Sequence, residues 1–212
     1  MTTELRFLRA TSSALHTAQH NGREHLVVPV VALMEGVIHA VNAPTAELVP
    51  LATLSEKPER WNEKPVVLGH PMRAGRQCSA NDPEVLDKHG LGFIREARIV
   101  GSKLMCDVWL DPKRFETLGA KTALDKLRAG ELVDVSVGAY VTTASAHDEW
   151  QGKRYSAKWT QIVPDHLALL PHTSGACSLS MGCGANRAAE GGGAMSWKAV
   201  SYTHLTLPTI CS

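Results

Sequence analysis

The sequence predicts an α+β fold that is mainly β: a closed or strongly curved β-barrel with peripheral helices. Several short segments rich in Val and Ile are separated by turn residues, which is typical of strands. Only one stretch has clear helical periodicity, and no glycine-rich phosphate loop follows a strand. A parallel doubly wound nucleotide-binding fold is therefore not expected, and with 212 residues the chain can bury one sizeable core.

The first half of the chain is predicted to contain two strand regions. Residues 24–39 are rich in Val and Ile and predict a strand or a bent strand pair. Residues 46–64 have helical composition but contain two prolines, so short helical pieces are expected there. A brief buried strand follows from Pro65 to Leu68 and is stopped by Gly69. His70 is therefore expected at a strand end.

The second half is predicted to hold a long loop, a hairpin, one helical region and further strands. Residues 72–90 are polar and rich in turn residues, as in a loop that a compact domain keeps for function or disorder. Alternating segments flank residues 100–102 and predict a hairpin. Asp111 to Gly130 is the helical region, with an apolar face on Ala123, Leu124 and Leu127. Further strands are expected at 131–141, 153–163 and 166–171.

We divide the chain into four parts. Residues 1–25 are expected to be an N-terminal arm, 26–183 the barrel domain, and 184–199 a Gly/Ala-rich linker towards a missing C-terminal region. Residues 200–209 (VSYTHLTLPT) resemble the translation of a sequencing-library adapter. We therefore expect residues 200–212 not to be native; the alternative is a short amphipathic tail.

Composition excludes several classes of protein. The 22 Lys and Arg nearly balance the 21 Asp and Glu, so the net charge of +1 offers no field for nucleic acid or an anionic membrane. No apolar run is long enough to span a bilayer, and charges occupy the first residues, where a signal peptide would be apolar. We expect no nucleic-acid partner, no membrane, no cofactor, and reduced cysteines in a cytosolic setting.

A metal site is the alternative for the cysteine-rich segment near the end of the domain. Cys177 and Cys183 follow His166 and His172 closely. A metal-dependent hydrolase that uses these four residues is conceivable, although zinc knuckles and ribbons do not use a Cys-x5-Cys spacing. Buried or incidental cysteines are the simpler interpretation.

Three residues could together perform nucleophilic catalysis. Alternation over 132–139 places Ser136 on the face opposite the most continuous apolar face, and Gly138 would let a substrate backbone approach. His70 offers a neutral imidazole near neutral pH, and His166 precedes an apolar run. Each residue alone also fits a structural role, as a strand serine or a hydrogen-bonded histidine. Together they supply a nucleophile, a base and a group that orients the base.

The motifs PVVLGHP, ELVDVSVGAY and VPDHLALLP carry these three residues. They resemble a family of phage and prophage proteins, long known as a domain of unknown function, that is similar to prohead maturation proteases and through them to the herpesvirus assemblins. The resemblance extends from about Leu26 to Arg187. It implies an assemblin-like barrel and a Ser-His-His triad in which Ser136 is the nucleophile, His70 the general base and His166 the orienting residue.

The resemblance also implies a biological setting. The expected activity is that of a serine endopeptidase that cleaves phage scaffold and major capsid protein segments during head assembly. The protein would act in the cytoplasm of the bacterial host, inside the assembling prohead, and could form a homodimer. The alternative is a non-catalytic head-assembly or scaffold protein that retains the protease fold.

Two parts of the predicted site stay open at the level of sequence. Asp165 or Asp134 could replace His166 as the orienting group. Assemblins place arginines after the third triad residue, but the corresponding segment here, PHTSGACS, contains none. The oxyanion donors would then be backbone N–H groups near Gly175, or a more distant Arg73 or Arg76.

Overall fold

The structure, a computed structural model, describes residues 14–187. Most of this part of the chain is β-strand, which confirms the mainly β composition of the fold. The strands are β1 His16–His20, β2 Arg23–Met34, β3 Gly36–Ile38, β4 Glu47–Val49, β5 Pro65–Leu68, β6 Met72–Arg73, β7 Arg76–Gln77, β8 Gly90–Val100, β9 Lys103–Leu110, β10 Asp134–Trp150, β11 Lys153–Leu170 and β12 Gly184–Ala185. The helices are α1 Leu51–Leu54, α2 Pro83–His89, α3 Pro112–Thr117 and α4 Lys121–Arg128, with short 3-10 turns at Pro58–Trp61 and Leu179–Met181.

Ten of these strands form one mixed sheet. Its order is β1-β2-β9-β8-β5-β11-β4-β3, with β10 paired to β11 and β12 paired to β2. The closed or strongly curved barrel that the sequence predicted is wrong, because within residues 14–187 no sheet closes on itself and the path ends at β1 and β3. The longest strands, β10 and β11, pair with each other in an extended hairpin instead of closing the sheet. A single bridge, Val133 to Ala185, links the residue before β10 to β12.

The core lies between the sheet and the helices on its periphery. The largest fully buried side chains include Leu104 on β9, Phe115 on α3 and Leu167 on β11. The predicted apolar face of α4 is confirmed, since Ala123, Leu124 and Leu127 are all buried. The helical region is, however, two helices, because the chain turns at Gly119 with a φ of 66° that glycine adopts without strain.

The long polar segment is more ordered than the sequence suggested. Residues 72–90 contain the small β6–β7 hairpin and helix α2, so the prediction of a plain loop is wrong. Helix α2 begins where Asp82 accepts a hydrogen bond from the Glu84 N–H and Pro83 occupies the first turn, a standard helix start. Its buried Val85 belongs to a small apolar cluster with Val67 of β5, which fixes the segment against the sheet.

The ends of the described chain complete the sheet. In the predicted N-terminal arm, β1 pairs with β2, and in the predicted linker, β12 pairs with β2. The remainder of both predictions, residues 1–13 and 188–199, and the predicted adapter segment 200–212 lie outside the described residues. None of the helices in residues 14–187 is long and apolar enough to cross a membrane.

Candidate active site

The three residues singled out from the sequence lie around one cavity of about 780 Å³. Ser136 enters it from β10, His70 from the turn after β5, and His166 from β11. Strands β5, β11 and β10 are adjacent, because β11 pairs with β5 on one side and β10 on the other. This adjacency brings together residues that are far apart in the sequence.

Ser136 occupies the face of β10 that alternation predicted. Val133 and Val135 are buried in the core, whereas Ser136 is half-buried and faces the cavity. Among the described residues, none forms a hydrogen bond with its hydroxyl. Ser136 pairs with Ala168 of β11, and Gly138 pairs with His166. The serine and the histidine therefore share one face of the hairpin as diagonal neighbours.

The two histidines are hydrogen-bonded to each other. The Nδ1 of His70 lies 2.8 Å from the Nε2 of His166, and the ring centroids are 5.1 Å apart in an edge-to-face arrangement. Burial, and secondarily the electrostatic influence of His166, lowers the pKa of His70 from 6.5 to about 4. His70 is therefore neutral at pH 7 and can accept a proton.

A β-bulge lets Asp165 reach the ring of the residue that follows it. Neighbours in a regular strand point to opposite faces, but the register here jumps from Gly138–His166 to Ala139–Pro164 and leaves Asp165 as an extra residue. Pro164 has no N–H to donate to the ladder, which suits it to a bulge. As a result, the Nδ1–H of His166 donates to Oδ2 of Asp165 over 2.6 Å.

The carboxylate of Asp165 is held by further donors from the segment before α2. Its Oδ1 accepts from the Ser79 hydroxyl at 2.5 Å and from the Asn81 side-chain amide at 2.8 Å. Its Oδ2 also accepts from the Ala80 N–H at 2.9 Å. Burial by itself raises the pKa of Asp165, but the hydrogen bonds, led by the one from His166, outweigh it and lower the pKa below its usual value.

Gly138 has a different role from the one that the sequence suggested. We expected it to make room for a substrate backbone, but a Cβ built on it would lie 2.1 Å from Cε1 of His166 and 2.5 Å from both ring nitrogens. The imidazole lies directly on the glycine. Gly138 therefore provides the space that His166 occupies beside His70.

The structure separates the alternatives for the orienting group. Asp165 contacts His166 and not His70, so Asp165, His166 and His70 form one chain of hydrogen bonds in that order. Asp134 instead accepts a hydrogen bond from the Leu179 N–H. It thereby anchors the segment that follows the cavity loop and takes no part in the histidine pair.

Backbone N–H groups are better placed than arginines to stabilise an oxyanion. Arg73, on the exposed β6–β7 hairpin, forms ion pairs with Asp82 and Glu84 at the start of α2. Neither Arg73 nor Arg76 lines the cavity. Residues 173–176, which we call the cavity loop, contribute Thr173, Ser174 and Ala176 to the lining. Within the described chain no group accepts a hydrogen bond from the N–H groups of this loop.

The cavity loop touches the strand that carries the serine. A Cβ at Gly175 would lie 2.2 Å from the carbonyl oxygen of Val135, the residue before Ser136. This close approach requires glycine. It places the free N–H groups of the loop next to the nucleophile candidate.

The cysteines contradict the expectation of reduced thiols in part. Cys177 and Cys183 form a disulfide with a Cα–Cα distance of 5.6 Å, whereas Cys78 and Cys106 are free. As disulfide sulfurs, Cys177 and Cys183 are not thiolate ligands for the alternative metal site. Residues 14–187 contain no group of three or more His, Cys, Asp or Glu that could hold a metal ion.

Sequence reasoning missed the donors that hold Asp165. Ser79 and Asn81 were part of a segment treated as a loop, and only the folded chain brings them to the bulge, 84 to 86 residues later in the sequence. The available signal was the Asp-Pro-Glu helix start after Asn81, which predicts an ordered segment there.

Comparisons of the chain with protein-family models, with curated proteins and with solved structures find no match. The resemblance to prohead maturation proteases therefore depends on the three sequence motifs alone.

Proposed function

We propose that the protein is a serine endopeptidase in which Ser136 is the nucleophile, His70 the general base and His166 the residue that orients the base. The observation that carries this proposal is the hydrogen bond between His70 and His166 beside the unpartnered hydroxyl of Ser136. Three residue types that nucleophilic catalysis needs thus share one cavity, with the base neutral at physiological pH.

In the proposed mechanism, Ser136 Oγ attacks the scissile carbonyl carbon and its proton passes to Nε2 of His70. The N–H groups of the cavity loop donate hydrogen bonds to the carbonyl oxygen as it becomes negative. His70 then protonates the leaving amine, and an acyl-enzyme remains on Ser136. Water, deprotonated by His70, attacks the ester carbonyl and releases the acid product, which restores the hydroxyl of Ser136.

An extended peptide suits the shape of the cavity. The cavity follows β10 from Ser136 to Thr143. Among the described residues, β10 pairs only with β11, and the bridge to β12 is made by Val133, the residue before β10. The other edge of β10 therefore offers backbone groups to a substrate strand, as in β-strand addition. Tyr140 and Val141 are exposed at this edge and can pack on substrate side chains.

The substrates that we propose are scaffold and major capsid protein segments of a phage prohead. This part of the proposal is supported by the three motifs and their order along the chain. A peptidase that acts inside an immature head meets its substrates at high local concentration, which tolerates slow turnover. A base with a pKa of about 4 is weak and fits such an enzyme.

Labelling with a fluorescent fluorophosphonate tests the nucleophile without any knowledge of the substrate. The reagent should attach to Ser136, as identified by mass spectrometry of tryptic peptides, and Ser136→Ala should abolish the labelling. His70→Gln should slow it strongly, because the hydroxyl loses its base. Ser145→Ala, at an exposed serine on the same strand, is the matched control and should label at the normal rate.

Absence of labelling, or equal labelling of Ser136→Ala, would refute the proposed nucleophile. The biological substrate needs a second experiment, in which wild type and Ser136→Ala are co-expressed with the scaffold and major capsid proteins of a prophage that encodes a close homologue. Mass spectrometry should find shortened capsid or scaffold chains with the wild type alone. Identical processing in both strains would contradict the assignment to head maturation.

A further inference from the structure

The histidine pair can exist in two arrangements of its protons. In the first, His166 carries its proton on Nδ1 and accepts at Nε2 the Nδ1–H of His70, which leaves Nε2 of His70 with a free lone pair. In the second, Nε2–H of His166 donates to Nδ1 of His70, and Nε2 of His70 carries the other proton. Both arrangements satisfy the 2.8 Å contact, but only the first leaves a base for a serine proton.

We propose that Asp165, held as a carboxylate by Ser79, Ala80 and Asn81, selects the first arrangement and so positions the proton on both histidines. This inference rests on the proposed function, because it concerns the same site. A carboxylate accepts hydrogen bonds and donates none. The 2.6 Å contact between Oδ2 and Nδ1 of His166 therefore requires a proton on that nitrogen.

The surroundings of Asp165 keep it an acceptor. All four groups that contact the carboxylate are donors: the Ser79 hydroxyl, the Ala80 N–H, the Asn81 amide and the His166 ring. Such a shell stabilises the ionised form, in agreement with the lowered pKa of Asp165. The segment before α2 thus acts on the serine site through two histidines, without contacting the reacting atoms.

The contact with the Ala80 N–H predicts how the side chain of Asp165→Asn is oriented. A backbone N–H cannot become an acceptor, so in Asp165→Asn the amide oxygen must occupy the position of Oδ2, between Ala80 and His166. The amide nitrogen then faces Ser79, whose hydroxyl can rotate to accept, and Asn81, whose side-chain amide must turn to present its oxygen. Asp165→Asn should keep the acceptor beside His166, and with it the proton arrangement, while it loses the negative charge. Asp165→Ala should lose the selection itself.

Nitrogen-15 NMR of histidine-labelled protein at pH 8 tests the proposal directly, because the shifts of Nδ1 and Nε2 report which nitrogen carries the proton. Wild type and Asp165→Asn should both show protonated Nδ1 on His70 and His166. In Asp165→Ala, Nε2 of His70 should become protonated in a substantial fraction of molecules. Asp134→Asn removes a nearby carboxylate that lies outside the pair, and as the matched control it should leave all four shifts unchanged.

Rates provide the second readout. The fluorophosphonate rate in Asp165→Ala should fall because fewer molecules keep a free Nε2 on His70 and because no carboxylate stabilises the imidazolium that forms; together these losses should reach roughly 10²–10⁴-fold. Asp165→Asn keeps the proton arrangement, and its rate should fall by no more than about 10²-fold. Protonated Nε2 on His70 in the wild type, or unchanged shifts in Asp165→Ala, would overturn the proposal even if Ser136 labels normally. Conversely, the predicted shifts with no labelling would uphold the proton arrangement and refute the peptidase.

Discussion

Gly138→Ala should strongly reduce the activity of the site while it leaves the strand in place. The added Cβ would lie 2.1 Å from Cε1 of His166, whereas ordinary contacts begin at 3.4 Å, so the ring must retreat by about 1.3 Å. His166 is 5% exposed and has hydrogen bonds to His70 at 2.8 Å and to Asp165 at 2.6 Å. A shift of that size cannot preserve both bonds.

The expected loss of activity follows from this displacement. Misplacement of a catalytic group by about 1 Å costs on the order of 10²-fold in rate, and that reduction in the fluorophosphonate rate is the expected result. The crowded ring should lower the free energy of unfolding by about 1–3 kcal/mol, measured by urea unfolding. Ser145→Thr adds one carbon at an exposed site of the same strand, and as the control it should change neither quantity.

A double mutant separates crowding of His166 from damage to the strand. In His166→Ala the space above Gly138 is empty, so adding Gly138→Ala should cause little further loss of rate or stability. Full activity of Gly138→Ala with intact folding would refute the role assigned to His166. A large additional loss in the double mutant would show that Gly138 matters for another reason, such as approach of the substrate.

Three further predictions concern pH, the cavity loop and the disulfide. Burial, with His166, lowers the pKa of His70 to about 4, and only the neutral base is active. The kcat/KM for a cleaved peptide should therefore be constant above pH 5 and fall as the pH drops through about 4. A fall centred near pH 6.5 would contradict the assignment of His70 as the base. Gly175→Ala would place a Cβ 2.2 Å from the Val135 carbonyl oxygen and should displace the cavity loop. The kcat should then fall by about 10²-fold, with a smaller change in KM. An unchanged kcat would exclude the N–H groups of the cavity loop as oxyanion donors. Replacing both Cys177 and Cys183 by Ser opens a loop with a sequence separation of 6 and should lower the free energy of unfolding in urea by about 2 kcal/mol. Reduction of the wild type should have the same effect. Cys78→Ser, the control, should change the free energy of unfolding little with or without a reducing agent.

Local patterns predicted most of the strands and the orientation of the serine. Alternating valines placed Ser136 on the face opposite the core, and the structure agrees because Val133 and Val135 are buried. Gly69 ended β5 before His70 as expected. These features depend on side-chain periodicity and backbone restriction, which are properties of a few neighbouring residues.

The closure of the sheet and the surroundings of Asp165 could not be predicted in this way. The path of the sheet depends on which edges pair, and β11 pairs in parallel with β4 and β5 at separate points along its length, which no local pattern specifies. Ser79 and Asn81 reach Asp165 where the segment before α2 packs on β5 and β11, in the cluster that joins Val85 to Val67 and Ala168. Such contacts join segments more than 80 residues apart.

The Pro-Asp-His and Ser-x-Gly motifs are best understood as one unit across two strands. Pro164 favours the bulge, the bulge allows Asp165 and His166 to contact each other, and Gly138 opens the space for the imidazole. The bulge is also the place where the register of the hairpin changes, so a regular strand would turn Asp165 away from His166. A substitution that restores an N–H at 164, such as Pro164→Val, should therefore favour a regular ladder and separate the carboxylate from the imidazole. Loss of the Nδ1 proton signal of His166 in that variant would support this coupling, and its retention would show that tertiary packing by Ser79 and Asn81 holds the bulge without the proline.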